Sequence, residues 1–226
     1  MTIPKPFDII AAAIIAMYII QLANSLLFRG QLSQLGIVPR EVRGLLGIVN
    51  APLLHGGFLH LLSNTLPLAV LAGVVLSRSA AAFGLVTAAG VLVAGGATWL
   101  LARRSVHIGA SGLVYSYFGY LLFSSWFEHA YVLFFLVVWI VFGRLIRGLL
   151  PQGRGISFEG HLFGFAAGAL VAWTHGSWAA QAKVLAIGRA ITLNHLSMAS
   201  MTTAILASAT ITLAIAQAVR EKGRAE

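Results

Sequence analysis

Residues 109–115 read GASGLVY and open an apolar segment that continues to residue 127. Ser111 lies in this segment between Gly109 and Gly112, at the point where the helical pattern begins. A hydroxyl group in hydrocarbon needs a hydrogen-bond partner or access to water, so the serine is either a packing residue or a reactive group. The stretch therefore predicts a membrane-buried helix with one unusual polar side chain in its first turn.

The composition predicts an integral membrane protein. Hydrophobic residues make up 59% of the 226 residues, charged residues 9%, and the mean hydropathy is +0.90, which is far above the range of soluble domains. The chain has no cysteine, which excludes disulfides and thiolate sites. The formal net charge of +9 indicates contact with anionic lipid headgroups rather than with nucleic acid.

Seven apolar stretches are long enough to cross a bilayer as helices. They cover residues 7–28, 57–76, 79–101, 110–127, 130–147, 160–178 and 198–219. The first stretch has no small-residue cleavage site after it, so we expect a retained helix rather than a signal peptide. The longest connection, residues 29–57, contains the amphipathic piece PREVRGLLGIV, which predicts a functional or interfacial loop.

Polar side chains also occur at the starts of the second and sixth stretches. His60 and Asn64 are four residues apart and share one helix face, where they could point at one spot or bind a neighbouring helix. In the sixth stretch, glycines recur every four residues at 160, 164 and 168, a spacing that lets two membrane helices approach closely. His161 lies beside this glycine stripe.

The starts of the second, fourth and sixth stretches fall on one side of the membrane if the spans alternate in direction. His60, Ser111 and His161 would then share a depth, whereas His129, His175 and His195 fall on the opposite side. A nucleophilic serine needs a base within hydrogen-bond reach and donors for the oxyanion. Ser111 could supply the nucleophile, His161 the base, and His60, Asn64 and the Ser111 N–H the donors. His55 is expected to be an interfacial or loop histidine, and His107 a loop residue.

Three motifs in this order, HGGFLHLLSN (55–64), GASGLVY (109–115) and EGHLFGFAAG (159–168), resemble those of the rhomboid intramembrane serine proteases. The resemblance covers roughly residues 7–178 and implies a six-helix core with a Ser-His dyad. It implies Ser111 as nucleophile, His161 as base, and His60 and Asn64 at the oxyanion. It also implies that Tyr115 packs against the histidine and that Gly109 and Gly112 belong to the serine motif.

The predicted fold is thus an all-α polytopic membrane protein with a rhomboid-like bundle of six transmembrane helices. We expect residues 1–178 to form the catalytic core, and residues 179–226 to form a connecting loop and an extra C-terminal transmembrane helix. A carboxylate is not expected to complete a triad, because Glu159 precedes His161 by two residues and points to another helix face. No metal or other cofactor is expected, since the sequence lacks an H-E-x-x-H motif and a carboxylate cluster.

The resemblance implies peptide-bond hydrolysis in or near transmembrane segments of other membrane proteins, in the bacterial inner (cell) membrane. Transmembrane substrates and membrane lipids are the expected partners; the oligomeric state is not predicted. The resemblance implies an active site that faces away from the cytoplasm, whereas the positive-inside rule favours the reverse orientation. Two other functions stay open: a non-catalytic protein that binds transmembrane helices, and a small transporter with a polar pathway.

Overall fold

The structure is a computed structural model that describes residues 7–127, 145–151 and 157–176, together with Thr210. Five long helices lie within these residues: α1 (Asp8–Leu26), α2 (Phe58–Arg78), α3 (Ala80–Leu101), α4 (Ser111–Phe127) and α5 (Phe158–Gly176). They match the first four predicted spans and the sixth to within two residues at each end. The predicted spans at 130–147 and 198–219 lie outside the described residues, apart from 145–147 and Thr210. The division at residue 178 stays a prediction.

The described part of the chain is helical, as predicted, and it has the surface of a membrane protein. Among the described residues, three segments are long and apolar enough to cross a bilayer: Phe7–Leu26, Phe58–Arg78 and Ala80–Leu101. Leu59, Leu62 and Leu66 are exposed along one side of α2. An apolar face of this size would aggregate in water but matches a lipid environment. The chain is therefore an integral membrane protein with a helical bundle.

The helix α3 is continuous but not uniform. An α-helical part, Ala80–Ala88, leads into a π turn at Ala89–Val93, and a second α-helical part, Ala94–Leu101, completes it. A π turn inserts one extra residue into the helical repeat and shifts the side chains that follow. The hydropathy pattern gave no sign of this irregularity, because apolar residues continue through it.

The pair α4 and α5 packs most tightly among the described helices. A Cβ atom added at Gly164 would overlap the carbonyl oxygen of Gly112, and one added at Gly168 would overlap the carbonyl oxygen of Ser116. The two backbones are thus in direct contact, as the glycine spacing predicted. This contact brings the first turns of α4 and α5 together at one end of the bundle.

The long connection between α1 and α2 is built from short helical turns and is anchored on the end of α3. The guanidinium of Arg40 donates to the carbonyls of Leu100 and Ala102 at 3.0 and 2.9 Å, and the Trp99 indole donates to the carbonyl of Glu41 at 2.9 Å. Within its predicted amphipathic piece, Val42, Leu45, Leu46 and Val49 are exposed. These side chains agree with a loop that lies in the membrane interface.

The contact between α4 and α5 predicts that Gly164→Ala destabilises the protein. The added methyl group must displace the backbone at Gly112, and overpacking of this kind typically costs about 1–3 kcal/mol. Gly84→Ala is the matched control, because a Cβ atom there meets none of the described residues within 4 Å and alanine favours the helix. We expect a lower thermal midpoint in detergent for Gly164→Ala and an equal or higher one for Gly84→Ala. Equal midpoints for both variants would contradict the packing.

Candidate active site

Ser111 is the first residue of α4, and the turn before it depends on glycine. Gly109 has φ +118°, a backbone conformation that side chains with a Cβ atom disfavour, and its N–H donates to the carbonyl of Ala51 at 2.8 Å. A Cβ atom at this position would lie 3.0 Å from the ring of His60. The glycine therefore lets the turn run directly beside His60. The N–H groups of the first turn of α4 have no partner within the helix, so this end of the helix favours negative charge.

Ser111 and His161 are joined by a hydrogen bond. The distance between Ser111 Oγ and His161 Nε2 is 2.9 Å, and the other ring nitrogen, Nδ1, lies 2.8 Å from the carbonyl oxygen of Gly148. A carbonyl oxygen can only accept, so Nδ1 carries the proton of the neutral ring and Nε2 is the acceptor. The imidazole is thereby held in the tautomer that can take a proton from the serine.

Tyr115 holds the other side of the imidazole. The two rings stack with centroids 4.3 Å apart and planes 19° from parallel, and the Tyr115 hydroxyl donates to the carbonyl of Leu145 at 2.6 Å. The segment 145–148 therefore fixes the histidine twice, through Tyr115 and through the carbonyl of Gly148. Sequence reasoning missed this segment, since a backbone carbonyl leaves no signature in the residue types.

The carboxylate of Glu159 is bound by Arg103. Its Oε1 lies 3.5 Å from Arg103 Nε and accepts the Arg103 N–H at 3.3 Å. The hydrogen-bonding position at His161 Nδ1 is taken by the Gly148 carbonyl. The arrangement is a pair of side chains with a neutral backbone partner.

His60 and Asn64 face the same space as the serine and the histidine. His60 Nδ1 accepts the Gly56 N–H at 3.5 Å, which leaves the ring proton on Nε2, beside Gly109. The Asn64 amide donates to the His60 carbonyl at 3.1 Å and has a second N–H. Together with Ser111, Tyr115 and His161 they line an open cavity of about 930 Å³. This volume is in the range of pockets that bind ligands.

His55 and His107 lie in loops, as expected, but both are buried. His55 Nε2 accepts the N–H of Ala110 at 3.3 Å, next to Ser111, and its ring meets that of His60 edge-on at 5.2 Å. Burial and the neighbouring His60 lower the pKa of His55 to about 4. Burial also lowers the pKa of His107. Sequence reasoning missed their roles because loop residues have no periodicity that would indicate burial.

The pKa of His55 predicts that the protein loses stability in mild acid. The unfolded chain binds a proton at His55 below about pH 6.5, whereas the folded chain resists it down to about pH 4. The contribution of His55 to the free energy of unfolding is therefore fully present above pH 6.5. As the pH drops to 4, the free energy of unfolding falls by about 3 kcal/mol. Thermal midpoints at pH 7 and pH 5 should differ less in His55→Gln than in the native chain. An equal loss in both proteins would contradict this role of His55.

The sequence is similar to those of a known protein family and of several bacterial proteins. A family model described as Rhomboid domain matches residues 42–178, which include the motifs of α2, α4 and α5 but not α1. An uncharacterized protein of Mycobacterium tuberculosis strain H37Rv is 34% identical over 168 residues, which are 70% of each chain. An uncharacterized protein of Mycobacterium leprae is 32% identical over 167 residues, which are 70% of this chain and 66% of the relative. The family model matches more than half of the residues of this chain, so the chain belongs to the rhomboid family.

Proposed function

We propose that this chain is an intramembrane serine endopeptidase that hydrolyses peptide bonds in or near the transmembrane segments of other membrane proteins. The observation that carries the proposal is the 2.9 Å hydrogen bond from Ser111 to the unprotonated Nε2 of His161. A serine beside a packing histidine would not require the tautomer that the Gly148 carbonyl imposes. Membership of the rhomboid family supports the same reaction class.

In the proposed reaction, Ser111 Oγ attacks the carbonyl carbon of the scissile bond while His161 Nε2 takes the serine proton. The tetrahedral intermediate collapses, the C–N bond breaks, and His161 gives the proton to the departing nitrogen. Water then attacks the acyl ester, His161 accepts a proton from it, and Ser111 regains its proton as the acid product leaves. The Nδ1–H bond to Gly148 persists throughout and orients the ring in both protonation states.

The oxyanion of the tetrahedral intermediate would be bound by three donors at the rim of the cavity. These are the N–H of Ser111 at the start of α4, the Nε2–H of His60 and the second N–H of Asn64. Preorganised donors of this kind stabilise the charge that develops in the transition state. The partial positive charge of the α4 N-terminus acts in the same direction.

The substrate class follows from the location of the dyad. A transmembrane helix hides its carbonyl groups in hydrogen bonds, so a cleavable segment must carry residues that weaken its helix near the cut. The small residues around Ser111 favour a small side chain just before the cut.

The proposal predicts that purified full-length protein in liposomes cleaves a transmembrane reporter. Ser111→Ala and His161→Ala should each abolish cleavage, because they remove the nucleophile and the base. Ser77→Ala is the matched control, because within the described part of the chain the Ser77 hydroxyl donates to the Val74 carbonyl alone, at the far end of α2. Cleavage by either dyad variant at the native rate would overturn the mechanism. Binding of a broad reporter panel without cleavage by the native chain would favour the helix-binding alternative.

The oxyanion role predicts a selective loss in Asn64→Ala. Removal of one such donor typically lowers kcat by about 100-fold or more, with little effect on KM. Ser63→Ala is an instructive control, because Ser63 also donates to the His60 carbonyl, at 2.7 Å. If Asn64 acted only by holding that carbonyl, the two variants would lose similar activity. We expect Ser63→Ala to stay within a few-fold of the native rate.

A further inference from the structure

A second hydrogen bond joins the same two parts of the chain as the bond between Ser111 and His161. His107 Nδ1 lies 2.5 Å from Ser157 Oγ. His107 precedes Ser111 by four residues, and Ser157 precedes His161 by four residues. The two hydrogen bonds are therefore matched in sequence, with one pair at the helix starts and the other in the segments that lead into them.

His107 is held firmly enough to act as a fixed point. Its side chain is buried, and its Nε2 lies 3.0 Å from the carbonyl of Arg103 and 3.2 Å from Ser105 Oγ. Because the Arg103 carbonyl can only accept, the ring proton is on Nε2, and Nδ1 accepts the hydroxyl proton of Ser157. The backbone of His107 also exchanges two hydrogen bonds with that of Ile37, at 3.0 and 2.9 Å.

Ser157 links His107 to the start of α5. Its carbonyl accepts the N–H of His161 at 3.2 Å, so it forms part of the first turn of the helix that carries the histidine. A Cβ atom at Gly160 would come within 2.9 Å of Ser157 Oγ, so glycine at this position leaves room for the hydroxyl. The start of α5 is thus tied by a side-chain bond to the loop that leads into Ser111.

We infer that His107 and Ser157 form a positioning pair that sets the separation between Ser111 and His161. Glycine packing fixes how closely α4 and α5 approach, but a small slide or tilt of α5 would still lengthen the bond between serine and imidazole. A misplacement of about 1 Å can lower a reaction rate by as much as 100-fold. The hydrogen bond between His107 and Ser157 opposes that slide at the catalytic end. The claim that this pair affects the reaction rate rests on the proposed function.

The test is a comparison of Ser157→Ala with Ser157→Thr and Ser105→Ala. Ser157→Ala should lower kcat about ten-fold with KM unchanged, and Ser157→Thr, which keeps a hydroxyl, should restore most of it. Ser105→Ala removes the hydroxyl that contacts the other ring nitrogen of His107, Nε2, and leaves the hydrogen bond to Ser157 in place. It should therefore change kcat much less. In a double variant with His107→Phe, the loss should not exceed that of the worse single variant.

A second readout does not depend on proteolysis. The ¹⁵N resonances of the His161 ring, identified by their loss in His161→Ala, report its hydrogen bonds directly. They should shift in Ser157→Ala and stay unchanged in Ser105→Ala. If the native chain cleaves no reporter while this shift is seen, the proposed function fails and the positioning pair stands. Native kcat together with unchanged His161 resonances in Ser157→Ala would overturn the pair.

Discussion

The direct contact between the backbones of α4 and α5 is the constraint on which the rest of the site depends. Inside a bilayer, apolar side chains gain nothing by leaving lipid for protein, so helices associate through close packing and hydrogen bonds. Glycine at 164 and 168 allows the α5 backbone to touch the carbonyls of Gly112 and Ser116. Since Ser111 begins one of these helices and His161 lies in the first turns of the other, this packing brings the two side chains together.

The histidine is oriented here by neutral groups. A carboxylate beside the imidazole would have to be stripped of water within the bundle, which costs several kcal/mol unless it is fully paired. The Gly148 carbonyl fixes the same tautomer without a charge, and the stacked ring of Tyr115 limits rotation. Glu159, the nearest acid in sequence, is paired with Arg103 instead. The ring is thus oriented without a carboxylate on Nδ1, and Nε2 accepts the serine hydroxyl.

Much of this arrangement could be predicted from the sequence because membrane helices obey simple rules. Span length located the described helices, the four-residue glycine spacing predicted the contact of α4 with α5, and span direction predicted that Ser111 and His161 share one side. The contributions of Leu145 and Gly148 could not be predicted, because they are made by backbone carbonyls. The hydrogen bond between His107 and Ser157 could not be predicted for another reason. Loop residues lack a periodic pattern, so the sequence does not indicate which residues they contact.

The claim that Ser111 is a nucleophile activated by His161 is tested most directly by covalent labelling. The native protein, folded in detergent, would be treated with a fluorophosphonate, and the modified residue would be located by mass spectrometry. The account predicts phosphonylation of Ser111, in preference to the other serines of the chain, and its loss in His161→Ala and after denaturation. A folded native chain that leaves Ser111 unmodified, or that labels it equally well without His161, would contradict the account.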